Sequence, residues 1–203
     1  MKIICIGRNY ADHAKEMKAA LPTEPVFFMK PDTAILRDND PFYFPDFTNE
    51  LHYECEVVVK ISKVDKNIQE KFAHKYYEQV SLGIDFTGRD LQTKCKEQGL
   101  PWEIAKAFEN SAPISNLFLD KGTLDISNLD FHLDIDGTTV QKGNTHDWIF
   151  HIDRIIAYIS KFMTLKTGDL IFTGTPAGVG PVKIGNRLQG YIGTREMFNF
   201  EIK

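Results

Sequence analysis

His52-Tyr53-Glu54-Cys55-Glu56 sets two carboxylates two residues apart. On a strand, alternate side chains share a face, so Glu54 and Glu56 lie roughly 6.5–7 Å apart on one side. Two such carboxylates repel unless a cation sits between them. Carboxylate oxygens suit hard ions such as magnesium, manganese or calcium. The same alternation also describes the solvated face of an edge strand. Asp12-His13-Ala14-Lys15-Glu16 puts an imidazole and a carboxylate three residues apart. On a helix these are neighbours. The pair reads either as a general base held by its carboxylate or as a surface pair.

Gly83 to Gln92 brings Asp85, Arg89 and Gln92 together. Asp85 ends a short strand and is either a third carboxylate or, with Asp90, a helix cap. Arg89 and Gln92 lie three apart, able to face one pocket, and arginine grips carboxylates well. Lys106 follows the mostly apolar Pro101–Ala105. It either snorkels to water or is held as a fixed cation. Thr173-Gly174-Thr175-Pro176-Ala177-Gly178-Val179-Gly180-Pro181 is a glycine-rich loop after a strand. No Gly-Lys-Ser/Thr follows and position 183 is lysine, so it is neither a P-loop nor a dinucleotide fingerprint. Its glycines suit backbone passing close to a ligand or a tight turn. Thr175 offers a hydroxyl there.

The elements that hold these residues are mostly strands. Residues 1–6 read as a short strand and Asp12–Ala20 as a short helix. Prolines 22, 25, 31, 41 and 45 keep residues 21–50 out of helices. Over 52–61, Tyr53, Cys55, Val57, Val59 and Ile61 form an apolar face, with Val58 the exception on the other. Phe72, Tyr76 and Val80, four apart, predict a helix over 69–80. Gly83–Phe86 reads as a strand, and Asp90–Gln98 as a helix closed by Gly99. Phe131, Leu133 and Ile135 alternate before the hairpin turn Asp136-Gly137. A stripe from Ile152 to Met163 predicts a helix over Trp148–Met163. Leu170–Phe172 and the alternating Phe198, Phe200 and Ile202 are strands. Strands in runs give an α+β, β-rich class. No linker divides the chain, so residues 1–203 are expected to form one domain.

Composition narrows the partners. The 203 residues carry 24 basic and 28 acidic side chains, a net charge of −4, without a dense basic run. Nucleic-acid binding needs clustered cations and is not expected. No apolar run approaches the ~20 residues of a membrane span, and Ile3–Ile6 is short for a signal-peptide core. Cys5, Cys55 and Cys95 form no C-x-x-C pair, which argues against structural zinc and disulfides. The expected compartment is the reducing cytoplasm.

Taken in order, these segments resemble the fumarylacetoacetate hydrolase family. The likeness runs through Gly7-Arg8-Asn9-Tyr10 with His13 and Glu16, Phe28-Met29-Lys30-Pro31, His52–Glu56, Asp85–Gln92, Lys106 and Thr173–Gly180. It is strongest to the short members related to acylpyruvate hydrolase and oxaloacetate decarboxylase. It implies a mixed β-sandwich roll and a homodimer. It also implies magnesium or manganese on Glu54, Glu56 and Asp85, and a water-activating dyad of His13 and Glu16. Lys106, Arg89 and Gln92 match substrate and oxyanion contacts, and Lys30 and Thr175 match pocket-lining positions. The activity implied first is metal-dependent C–C cleavage of small 2,4-dioxo acids to pyruvate and a carboxylic acid, with oxaloacetate decarboxylation beside it. An isomerase or hydratase on the same scaffold is the alternative, and a catalytically silent metabolite binder the third reading.

Overall fold

The computed structural model describes residues 1–18 and 20–203. Its largest sheet has six strands in the order Val26–Lys30, Ile3–Gly7, Leu170–Phe172, Cys55–Ile61, Tyr77–Ile84, Leu119–Asp120. Ile3–Gly7 runs parallel to Leu170–Phe172, and the other pairings are antiparallel. A second, antiparallel sheet has the order Thr138–Asn144, Asp130–Ile135, Arg187–Ile192, Arg195–Glu201. Val57, Val59, Leu82, Leu133, Leu188 and Phe198 from the two sheets share one core with Ile155, Ile156 and Ile159 of the helix Ile152–Phe162. The architecture is α+β and rich in strands.

Cys55–Ile61 is an interior strand, paired on both sides. This overturns the solvated edge-strand reading and explains Val58. That side chain packs in a second core with Ile3, Cys5, Leu170 and Phe172, so both faces of the strand are covered. The strand expected over 52–61 is also broken at Glu54. Leu51–Tyr53 belongs to a separate small sheet with Thr87–Gly88 and Gly180–Pro181. That break is what frees Glu54 from a ladder.

Other boundaries differ for tertiary reasons. The helix expected over 69–80 spans only Glu70–Ala73. Val80, Leu82 and Ile84 instead register against Val59, Val57 and Cys55, and this burial overrides the four-residue spacing. The helix expected from Trp148 begins at Ile152. Trp148 bridges Tyr10, and the Asn9 side chain bonds both backbone groups of Phe150. The first helix spans Ala11–Glu16, and Ala19 of the expected Asp12–Ala20 lies outside the described residues. The helix Arg89–Gln98 closes on left-handed Gly99, as read from the sequence. Asp136 and Gly137 have φ of 52° and 76°, the two positive values of a tight hairpin turn.

Gly83 sits opposite Glu56 in the register. A Cβ there would lie 2.8 Å from both the Pro113 carbonyl oxygen and a Phe172 ring carbon. Backbone on one side and a packed ring on the other leave no room to yield. Gly83→Ala is expected to cost about 1–3 kcal/mol by overpacking. Thermal melts will read this as a drop of roughly 2–12 °C.

Candidate metal centre and active site

The break after Tyr53 and the end of the Tyr77–Ile84 strand meet at one point. The Asp85 amide donates to the Glu54 carbonyl at 2.8 Å, which locks the two segments together. Glu56 is the second residue of its strand. Glu54, Glu56 and Asp85 are all buried, and each offers an oxygen within 4.8 Å of the others.

Three buried cations answer these carboxylates unequally. Arg89 donates to Glu54 at 2.7 Å, and Thr87 adds a hydroxyl at 3.1 Å. Lys106 donates to Glu54 at 2.9 Å and to Asp85 at 2.7 Å. Lys30 Nζ lies 2.7 Å from the other Asp85 oxygen as an ion pair without hydrogen-bond alignment. Glu56 accepts a backbone N–H from Gly174 at 2.7 Å and has no cationic partner among the described residues. Gly174 has φ of 98°, and a Cβ there would lie 2.7 Å from Asn9 Cβ, so only glycine brings this amide to Glu56.

The titration behaviour follows. Burial alone would raise Glu54, but Lys106 and Arg89 overcome it and hold the carboxyl well below the usual range. Burial, then Asp85 and Glu54, push Glu56 well above it. Burial works against the Lys106 ammonium, yet Asp85 and Glu54 raise it. The trio therefore lacks positive charge at Glu56. A divalent ion among three oxygens supplies it, and an all-carboxylate donor set favours a hard ion. The residues fit the metal.

His13 rides the helix Ala11–Glu16 and is buried. Its Nδ1 lies 3.1 Å from one Glu16 oxygen, while the other accepts the Gly178 N–H at 3.1 Å. The glycine-rich loop thus holds Glu16, Glu16 holds the ring, and Nε2 is left for the cavity. Gln92 accepts from Arg89 at 2.6 Å and from Lys96 at 3.2 Å, which leaves its amide N–H groups unspent. Thr175 donates its hydroxyl to the Cys55 carbonyl and accepts from Gln141, both at 2.9 Å.

A cavity of about 330 Å³ is lined by His13, Glu54, Glu56, Asp85, Arg89, Gln92, Lys106 and Thr175. That volume suits a small metabolite. Of the residues singled out from the sequence, Glu16 and Lys30 do not line it. Glu16 stands behind His13. Lys30 stands behind Asp85, with its ammonium bonded to the Phe86 carbonyl at 3.1 Å and to both the carbonyl and hydroxyl of Ser111 at 3.0 Å. The sequence reading gave Asn9, quoted within Gly7-Arg8-Asn9-Tyr10, no role of its own and missed Gln141. Asn9 ties Phe150 to Thr173, and Gln141 accepts the Cys55 N–H while holding Thr175. Gln141 lies in the strand Thr138–Asn144 beside a slip in its register with Asp130–Ile135, and nothing in the local sequence marks it.

Comparison with known proteins follows the same lines. The family description "Fumarylacetoacetate (FAA) hydrolase C-terminal" matches residues 2–203. An oxaloacetate tautomerase of Bos taurus (FAHD1, mitochondrial) is 45% identical over 190 residues, covering 94% of this chain and 86% of its own. An oxaloacetate decarboxylase of Dictyostelium discoideum, also named mitochondrial, is 40% identical over 203 residues, covering 99% and 93%. The crystal structure of fumarylpyruvate hydrolase from Pseudomonas aeruginosa, in complex with Mn2+ and pyruvate, superposes with a TM-score of 0.93 at 36% identity, over 100% of this chain and 89% of that one. With the match spanning nearly every residue, this chain belongs to the fumarylacetoacetate hydrolase family.

Proposed function

We propose that this protein is a divalent-metal-dependent enzyme that makes and protonates the enolate of small 2-oxo acids, with keto–enol interconversion of oxaloacetate as its leading reaction. The observation that carries the reading is the buried Glu56, without a cation of its own, beside Glu54 and Asp85. Relatives at 40–45% identity named for oxaloacetate chemistry support the substrate. Magnesium or manganese held by Glu54, Glu56 and Asp85 would supply Lewis-acid stabilisation of the enolate charge.

The chain's own groups do the rest. Lys106 has three N–H donors and spends two on carboxylates, leaving one for the enolate oxygen. Gln92 offers its amide N–H groups to the substrate carboxylate, and Arg89 positions Gln92 and Glu54. His13 Nε2 moves the proton at the carbon next to the oxo group, its ring held by Glu16. Thr175 lines the cavity, while Lys30 orients Asp85 from behind.

A second reading is favoured by the same dyad. An imidazole fixed from behind by Glu16 and Gly178 is well placed to activate water, which is what hydrolysis of 2,4-dioxo acids requires. The test follows the ultraviolet absorbance of the oxaloacetate enol with wild type and His13→Ala. The variant is expected to lose about 10²- to 10⁴-fold in rate. An undiminished rate would take the proton transfer away from His13. Pyruvate and acetate released one-to-one from acetylpyruvate would establish hydrolysis as well. Residues 1–203 acting as one catalytic domain, a homodimeric assembly and a cytoplasmic location belong to the same proposal. Three free, buried cysteines suit a reducing compartment.

A further inference from the structure

The strand Thr138–Asn144 slips against Asp130–Ile135 between Leu133 and Asp134, which leaves Val140 as an extra residue beside Gln141. Such bulges re-aim side chains, often next to active sites. Gln141 is turned inward and only 2% exposed, while the rest of its strand is exposed or half-buried. We propose that Gln141 is a positioning residue for the metal-dependent reaction. Its amide sets the backbone between Glu54 and Glu56 and, through the glycine-rich loop, the His13–Glu16 dyad. This rests on the oxo-acid reading above and adds how the second sheet holds both halves of the site in one register.

Leu170–Phe172 pairs with Cys55–Ile61 only as far as Val58. Beyond it, Thr173 bonds the Val57 carbonyl through both its N–H and its hydroxyl, and the chain leaves the ladder. Cys55, between the two glutamates, lies past the end of that pairing. Its buried backbone groups still need partners. Gln141 Oε1 accepts the Cys55 N–H at 3.0 Å, and Thr175 Oγ1 donates to the Cys55 carbonyl at 2.9 Å. Gln141 Nε2 closes the ring by donating to Thr175 Oγ1 at 2.9 Å, and it also donates to the Pro176 carbonyl at 2.9 Å. The amide orientation is forced, because its NH₂ turned toward Cys55 would set donor against donor. The loop then runs on to the base. Gly178 donates its N–H to Glu16 at 3.1 Å, and Glu16 holds His13. Gly178 has φ of 97°, and a Cβ there would lie 2.9 Å from the Val140 carbonyl oxygen, so the loop rests on the bulge itself. One side chain therefore bonds the metal-ligand segment with its oxygen and the dyad's loop with its nitrogen. A misplacement of about 1 Å in such a support can cost on the order of 10²-fold in rate.

Gln141→Met keeps length and bulk and removes all three bonds. With free Mn2+ followed by electron paramagnetic resonance, its Mn2+ dissociation constant is expected to rise about 10-fold. At saturating Mn2+, kcat for oxaloacetate enol conversion should fall about 10- to 100-fold, with KM within about threefold. Combined with Glu16→Gln, it should lose less than the product of the two single losses in kcat, because both act on His13. Ile156→Val, a trim in the core helix away from the site, should lower the melting temperature and move neither readout. Gln141→Glu stands in if Gln141→Met does not fold. It keeps an oxygen for the Cys55 N–H and loses both donors to the loop, so kcat should fall while Mn2+ affinity stays within about threefold. Wild-type Mn2+ affinity or wild-type kcat in Gln141→Met, wild-type kcat in Gln141→Glu, or losses that multiply fully with those of Glu16→Gln would overturn the positioning role. A wild type that binds Mn2+ but leaves the enol unconverted would instead remove the oxo-acid reading, and the Mn2+ affinities would still decide the role of Gln141.

Discussion

Glu56→Gln is expected to abolish tight metal binding and lower kcat/KM for oxaloacetate by on the order of 10³-fold, about 4 kcal/mol of transition-state stabilisation. The same change should raise the melting temperature of the metal-free protein. Both effects have one cause. Glu56 is buried beside Glu54 and Asp85 and has no cation of its own. Its folded-state pKa is raised, so whatever stability it contributes is present at low pH and lost as pH rises through the raised value. At neutral pH the carboxylate is a burden unless a metal compensates it. Glutamine keeps the shape, and its carbonyl still accepts the Gly174 N–H. It removes the charge and with it a ligand. Thermal melts with and without magnesium check the pair of effects. A variant that keeps wild-type metal affinity, or melts lower than wild type without metal, contradicts this account.

Lys106→Met carries the second large effect, with the opposite sign in stability. Lys106 bridges Glu54 and Asp85 and is fully buried, over the Phe28 ring. Removing one member of a buried charge cluster strands the others, at a cost of about 3–5 kcal/mol. For a chain of this size that corresponds to a fall of roughly 6–20 °C in Tm. Methionine fills most of the space, so the loss is electrostatic more than a cavity. Saturating magnesium should recover part of it, because the ion replaces the missing positive charge and binds only the folded state. Turnover should not recover, since the N–H proposed to stabilise the enolate oxygen is gone, a loss of roughly 10²- to 10³-fold. Recovery of both stability and turnover with metal would mean that Lys106 only balances charge.

The site was legible where spacing along one segment decides geometry. Glu54 and Glu56 share a side because they are two apart in extended backbone. His13 and Glu16 meet because they are three apart on a helix. What sequence could not carry was the far side of each contact. Lys30 was expected on the pocket wall, but its ammonium is drawn inward by the Phe86 and Ser111 carbonyls, 56 and 81 residues away. Val58 looked like an error in the alternation until the second core accounted for it. Gln141 reaches Cys55 and Thr175 from 86 and 34 residues away and has no local pattern to announce it. Helix ends failed for a like reason. Tyr77 onward follows the register of Cys55–Ile61, not its own four-residue spacing.

The central claim is that Glu54, Glu56 and Asp85 hold a metal on which 2-oxo acid chemistry depends. The most direct test titrates chelator-treated protein with Mn2+, follows free Mn2+ by electron paramagnetic resonance, and assays the same samples for oxaloacetate enol conversion. The expected result is one Mn2+ bound per chain, with activity rising in proportion to occupancy. Full activity before any metal is added, or Mn2+ binding that leaves activity unchanged, would contradict it.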